Sequence, residues 1–171
     1  MLNYFAYGSN MSLARLQERV CRVRILGTGM LRGYLLKFHK KGMDGSAKCD
    51  AFYTGNPDHY VLGRVFAINE QQKILLDRVE GLGKGYCEKM VEILPVCSLS
   101  APVQGRQKAS IYYATDIDES LKPFSWYKNH VLQGGREAGF DCDYMRLIEQ
   151  TAAIEDPDLS REAQQTAVYR R

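Results

Sequence analysis

The sequence predicts a mixed α/β (α+β) fold: a small, mostly antiparallel β-barrel or twisted sheet with flanking helices. Three observations point there. About six short apolar or alternating runs are bounded by Gly, Pro and Asn turn signals, the mark of strands. Few helical stretches stand between them, so the strands do not form a parallel βαβ array. The chain has 171 residues, 45% hydrophobic and 25% charged, which is enough for one buried core and short for two.

The elements follow in order. Leu2 to Ala6 is apolar and aromatic and reads as the first strand. Gly8-Ser9-Asn10 breaks it, and Leu13, Leu16 and Val20 then keep helical spacing, with Asn10 or Ser12 placed as the cap. Arg24–Gly29 and Tyr34–Phe38 read as strands with a bend at Arg32-Gly33. Lys40–Lys48 reads as a loop and Ala51–Tyr53 as a short strand, followed by a turn at Asn56-Pro57-Asp58. Tyr60–Ile68 alternates cleanly and is the strongest strand. Asn69 and Gln72 form a capping box for a helix from Glu70 to Val79, whose Ile74, Leu75, Leu76 and Val79 make an apolar stripe. The glycines from Gly81 to Gly85 stop it. Tyr86–Val96 and Ser110–Thr115 are strands on either side of a Ser98–Lys108 loop. Pro123–Ala138 and Asp143–Ile154 read as helices. Residues 1–154 form the domain, and 155–171 a tail with room for one short helix.

Composition excludes several classes. The net charge is +3 and the basic residues are scattered, so no nucleic-acid face is expected. No run of about 18 apolar residues is present, and none resembling a signal peptide, so no membrane span or secretion is expected. The five cysteines (Cys21, Cys49, Cys87, Cys97, Cys142) form no Cys-x-x-Cys pair, which points to free thiols in the cytoplasm. His39, His59 and His130 have no ligand spacing, so no metal is expected. Self-association into a homodimer stays open.

Two stretches bear chemistry. A glycine turn feeding a helix aims free backbone N–H groups at one spot, a place for an anionic or carbonyl oxygen; Tyr7, Gly8, Ser9 and Asn10 form that turn. The same residues equally describe an ordinary capped turn. Glu80 closes the second helix on the face of Leu76. There the negative end of the dipole and partial burial would make it a better base. It also reads as an exposed acid at a frayed end. Ser9 has no Gly-x-Ser-x-Gly context, Gly81–Gly85 is not a phosphate loop, and Cys87 reads as a buried strand thiol. Tyr86, Tyr112 and Tyr127, among 11 tyrosines, are polar-tipped aromatics that line a pocket or pack a core.

These residues resemble the γ-glutamylcyclotransferase family. Tyr4-Phe5-Ala6-Tyr7-Gly8-Ser9-Asn10-Met11 resembles its N-terminal signature. Gly63–Ile68 resembles its Gly-x-Val strand, and Leu76-Asp77-Arg78-Val79-Glu80-Gly81 its Leu-Asp-x-x-Glu-Gly segment, with Tyr86 following. Tyr127 to Gly139 resembles its Gly-Ala-x-Glu-x-Gly helix, with Gly135 where vertebrate members carry Ala. The blocks run in order from about residue 2 to 154. The resemblance implies a compact barrel with helices and an enzyme that cyclises a γ-glutamyl peptide or amine to 5-oxoproline. It implies Glu80 as the acid/base and the Tyr7–Asn10 turn as the glutamyl cradle. The loop after Glu80 is slightly shorter than in the vertebrate glutathione-cycle form, so leaving-group preference does not carry over.

The chemistry is consistent with that. Nucleophile and electrophile lie in one molecule, so proximity, proton transfer and oxyanion stabilisation suffice without a cofactor. A catalytically silent module that binds a glutamyl-like metabolite is the alternative.

Overall fold

The computed structural model describes residues 1–96 and 102–170. Cys97 and the start of the Ser98–Lys108 loop lie outside the described residues. Five strands close a barrel: β1 (Leu2–Ala6), β2 (Arg24–Arg32), β5 (Tyr60–Ile68), β6 (Tyr86–Pro95) and β7 (Gln107–Ala114), in the order β1-β5-β2-β6-β7. Neighbours are antiparallel except β1 and β7, which meet in parallel at Tyr4↔Ser110. Closure leaves no free sheet edge. The barrel with flanking helices is the architecture expected from the sequence.

Strand β5 is the central piece, paired with β1 through Leu2↔Ile68 to Ala6↔Arg64 and with β2 on its other side. Its alternation predicts one wet face, yet every residue after Tyr60 is buried. The face bearing Arg64 is covered by the turn after β1 and by helix α3 (Ser125–Ala138). Strand β2 runs on through glycines that look like breaks. At Gly29 a Cβ would lie 2.3 Å from Ile93 Cγ2, so the missing side chain lets β6 approach.

The hairpin β3 (Tyr34–Lys41) and β4 (Ala47–Tyr53) forms a separate two-stranded sheet. The loop expected over Lys40–Lys48 is only the turn between them. Polar residues there are buried in pairs: His39 Nε2 meets Asp50 Oδ2 at 2.9 Å, and Asp50 Oδ1 accepts the Ala114 N–H at 2.8 Å. Those partners come from other strands, so local polarity misreads the segment.

Helix α2 (Glu70–Glu80) begins with the expected capping box, Gln72 N–H to Asn69 Oδ1 at 2.9 Å and Asn69 N–H to Gln72 Oε1 at 2.8 Å. It ends on Gly81 in the left-handed region, φ 69°. Its apolar stripe, however, is not buried as a stripe. Leu76 is fully buried, but Ile74, Leu75 and Val79 are exposed. Helix α4 (Cys142–Glu149) stops short of Ile154 because Lys128 Nζ takes the Glu149 and Thr151 carbonyls at 3.1 and 2.9 Å. Among the described residues no helix is long and apolar enough to cross a membrane.

The tail forms helix α5 (Leu159–Thr166), capped by Asp158, and then a 3-10 turn. It is docked. Buried Asp156 accepts from Trp126 Nε1 at 2.7 Å and from Arg161 Nε at 2.7 Å. Tyr169 OH bridges His130 Nδ1 at 2.6 Å and Ser12 Oγ at 3.2 Å.

Burial, reinforced by the nearby guanidinium groups of Arg15 and Arg19, lowers the His130 imidazole from 6.5 to about 3. An unfolded chain protonates this ring first, so the group favours folding above pH 6.5 and weakens it as pH falls towards about 3. In a series of thermal melts across that range, His130→Gln should lose less stability on acidification than the parent chain.

Candidate active site

Five segments meet at one end of the barrel. Strand β1 supplies Tyr4. Tyr7 and Gly8 follow it, and a single 3-10 turn, Ser9–Met11, leads into helix α1 (Leu13–Val20). Helix α2 presents Glu80 at its last position, β6 opens with Tyr86, β7 carries Tyr112 and the first turn of α3 carries Tyr127. All eight residues singled out from the sequence line one pocket of about 300 Å³, partly open to solvent, together with Tyr4 and Cys49.

The start of α1 is not capped as expected. Neither Asn10 nor Ser12 caps it with a side chain. Glu137 of α3 does so from outside, accepting the Leu13 N–H at 2.9 Å and the Ser12 hydroxyl at 3.3 Å. Asn10 is thereby left for the site. Its Nδ2 donates to Glu80 Oε1 at 2.8 Å and to Tyr4 OH at 2.9 Å, while its Oδ1 accepts from Arg19 NH1 at 2.7 Å. The same Arg19 NH1 lies 2.9 Å from Glu80 Oε1. Both contacts use one carboxylate oxygen; Oε2 has no protein partner among the described residues and is accessible. The sequence suggests a dipole and burial acting on Glu80. The structure adds an ion pair with the Arg19 guanidinium.

The phenols form the walls. Tyr7 OH donates to the Tyr112 carbonyl, Tyr86 OH donates to the Cys49 carbonyl at 2.5 Å, and Tyr127 OH accepts the Cys49 N–H at 3.0 Å. Tyr112 OH donates to Asp77 at 2.6 Å. Burial holds the phenols of Tyr4, Tyr7, Tyr86 and Tyr127 far above their ordinary range, and burial pushes the Cys49 thiol up to about 12. These groups are therefore neutral near pH 7. Glu80 is the one carboxylate lining the pocket among the described residues. The N–H groups of Gly8, Ser9 and Asn10 donate to no protein acceptor among the described residues.

Sequence reasoning missed Arg19, Cys49, Arg64 and Glu137. Arg19 stands three residues after Leu16, at the margin of the buried stripe, which is a faint local signal. Cys87 is half-buried on β6 and does not line the pocket. The three histidines sit apart: His39 on Asp50, His59 on Thr54 and His130 on Tyr169.

Barrel and helices enclose a pocket that holds one carboxylate among neutral phenols. The chain belongs to the γ-glutamyl cyclotransferase, AIG2-like family, whose model matches residues 4–129. It is 27% identical over 161 residues to human γ-glutamylcyclotransferase, covering 91% of this chain and 79% of that one. It is 24% identical over 151 residues to the bovine γ-glutamylcyclotransferase, covering 85% and 76%. A solved γ-glutamyl cyclotransferase structure shares the fold at TM-score 0.83 and 20% identity, over 99% of each chain.

Gly8 is required for close approach rather than for an unusual φ. A Cβ there would lie 2.9 Å from Cys49 Cβ and 3.5 Å from Tyr127 OH. Gly8→Ala should cost about 1–3 kcal/mol in denaturant unfolding, the range for overpacking. In a Cys49→Gly background the same change should cost clearly less; equal costs in both backgrounds would place the conflict elsewhere.

Proposed function

We propose that this protein is a γ-glutamylcyclotransferase that converts a γ-glutamyl peptide or amine to 5-oxoproline and the free amino compound. The observation that carries the reading is Glu80: an accessible carboxylate oxygen in a pocket whose other titratable groups are held neutral. The substrate's α-amine attacks its own γ-carbonyl. A C–N bond closes the five-membered ring, and the original amide C–N bond breaks. Glu80 takes a proton from the α-ammonium and returns one to the departing amine. Its Oε1 is fixed by Asn10 and Arg19, which leaves Oε2 for the proton traffic. Fixing the base and folding the substrate into a ring-closing conformer is a proximity effect.

The turn supplies the remaining element. The N–H groups of Gly8, Ser9 and Asn10 are free for the α-carboxylate or for the oxyanion that develops on the γ-carbonyl. Tyr7, Tyr86, Tyr112 and Tyr127 shape the glutamyl pocket as neutral walls; the first three donate their hydroxyls to backbone carbonyls and Asp77, and that of Tyr127 accepts the Cys49 N–H. We infer a cytoplasmic location, since Cys21, Cys49, Cys87 and Cys142 are all free thiols. A silent glutamyl-binding module is the second reading. It is favoured by the Arg19 ion pair, which engages one oxygen of the Glu80 carboxylate within the protein.

Purified protein should release 5-oxoproline from at least one γ-glutamyl compound with no added cofactor. Glu80→Gln should retain the circular dichroism spectrum of the parent and lose at least ~10²-fold in kcat/KM, the scale of general acid–base catalysis. A folded variant with undiminished turnover would remove Glu80 from the reaction. Binding without any 5-oxoproline across a panel of γ-glutamyl compounds would establish the silent module instead.

A further inference from the structure

A wider vestibule of about 890 Å³, open to solvent, lies outside the Glu80 pocket. Ser9, Glu80, Tyr86 and Tyr127 line both spaces, so the two adjoin. A substrate whose glutamyl part fills the inner pocket must hold its amine part in the vestibule. The rest of that wall is basic. Arg15, Lys40, Lys48, Arg78, Lys84 and Arg161 line it, against Asp44 and Glu80.

Two of these cations are already matched. Lys48 Nζ sits on Asp44 Oδ2 at 2.6 Å, and Arg161 is paired with Asp156. Lys40 differs. Its stem is buried, the whole residue being only 6% exposed, while its ammonium reaches solvent and makes no hydrogen bond or ion pair among the described residues. It lies over the Tyr86 ring, 4.7 Å from the centroid, at the junction of pocket and vestibule. Glu80, Asp116 and Asp44 reach it only through the longer-range field, while its own burial lowers its pKa. Arg15 is similar: 8% exposed, with one long contact to Glu18 at 3.5 Å and its Nε without a partner. A solvent-reached ammonium with no counter-ion and a guanidinium with a buried, unpartnered Nε in one wall leave a place for an anion.

We propose that the vestibule receives a carboxylate on the amine side of the substrate and that Lys40 is the residue that selects it. Preferred substrates are then γ-glutamyl peptides with an acidic amine component, over those whose amine component is neutral or cationic. The proposal rests on the inner pocket being a γ-glutamyl site. Lys40 approaches the substrate at the far end of the amide from Asn10 and the turn N–H groups. The net positive wall, set by Arg15, Arg78 and Lys84 as well, repels a second ammonium.

The test compares 5-oxoproline release from γ-glutamyl-glutamate, γ-glutamyl-alanine, γ-glutamyl-alaninamide and ε-(γ-glutamyl)-lysine amide. We expect kcat/KM to fall in that order, with about tenfold or more between the first and third, the worth of a charge-assisted hydrogen bond. Added salt should narrow the gap. Lys40→Met, which keeps the aliphatic stem, should bring the acidic-to-neutral ratio towards one through KM. Equal use of glutamate and amide substrates by the parent protein would overturn the proposal. So would a Lys40→Met loss that is the same for every substrate, since Lys40 would then hold the glutamyl part. If Lys40→Met fails to fold, the substrate ratio of the parent and its salt dependence decide. Absence of 5-oxoproline from all four condemns the cyclotransferase reading instead. Calorimetric binding of the glutamate and amide compounds to Glu80→Gln then decides the vestibule separately: tighter binding of the acidic compound supports it, and equal binding overturns it.

Discussion

The ion pair between Arg64 and Glu137, 2.8 Å apart, is the constraint on which the site depends. Arg64 comes from the middle of β5 and Glu137 from the last turn of α3. Arg64 also donates to the Met11 carbonyl at 3.0 Å, and Glu137 caps the start of α1. One partly buried pair therefore fixes three elements around the turn at Ser9–Met11. Gly134 lets α3 come close enough to do so, since a Cβ there would lie 2.4 Å from Met11 Cβ. The helix N-terminus that the sequence offered to a ligand is thus spent on the fold, and the free N–H groups sit a few residues earlier, at Gly8, Ser9 and Asn10.

That displacement organises the chemistry. With Glu137 acting as the cap, Asn10 is released to join Tyr4, Arg19 and Glu80 in one network. The network ties the first helix to the end of the second and sets the carboxylate at the pocket. The surrounding phenols are held by backbone groups and Asp77, and their burial keeps them neutral. The tail continues the same pattern: Tyr169 reaches Ser12 beside the cap, and Arg161 and Gln165 complete the vestibule wall.

What could be read in the sequence was governed by local rules. Strands β1 and β5 fall where their apolar patterns put them, and the Asn69–Gln72 capping box and the Gly81 stop delimit α2. These features depend on neighbours within a few positions, which is what a sequence displays directly. The polar hairpin β3–β4 and the early end of α4 were misread for the converse reason. Asp50 is satisfied by His39 and Ala114, and Lys128 takes the carbonyls past Glu149, across gaps no local window contains.

The candidate site divides in the same way. The order of motifs from Tyr4 to Gly139 determined the fold, the family and the residues that meet in the pocket, because each motif carries its own turn, cap or strand. Only the tertiary structure decided how those residues are used. It gave α1 a cap from Glu137, gave Glu80 an Arg19 partner and left the Lys40 ammonium over the Tyr86 ring with no counter-ion among the described residues. Charge pairing and desolvation depend on distances through space, and residues 61 positions apart in the chain, such as Arg19 and Glu80, acquire such a distance only when the barrel has closed.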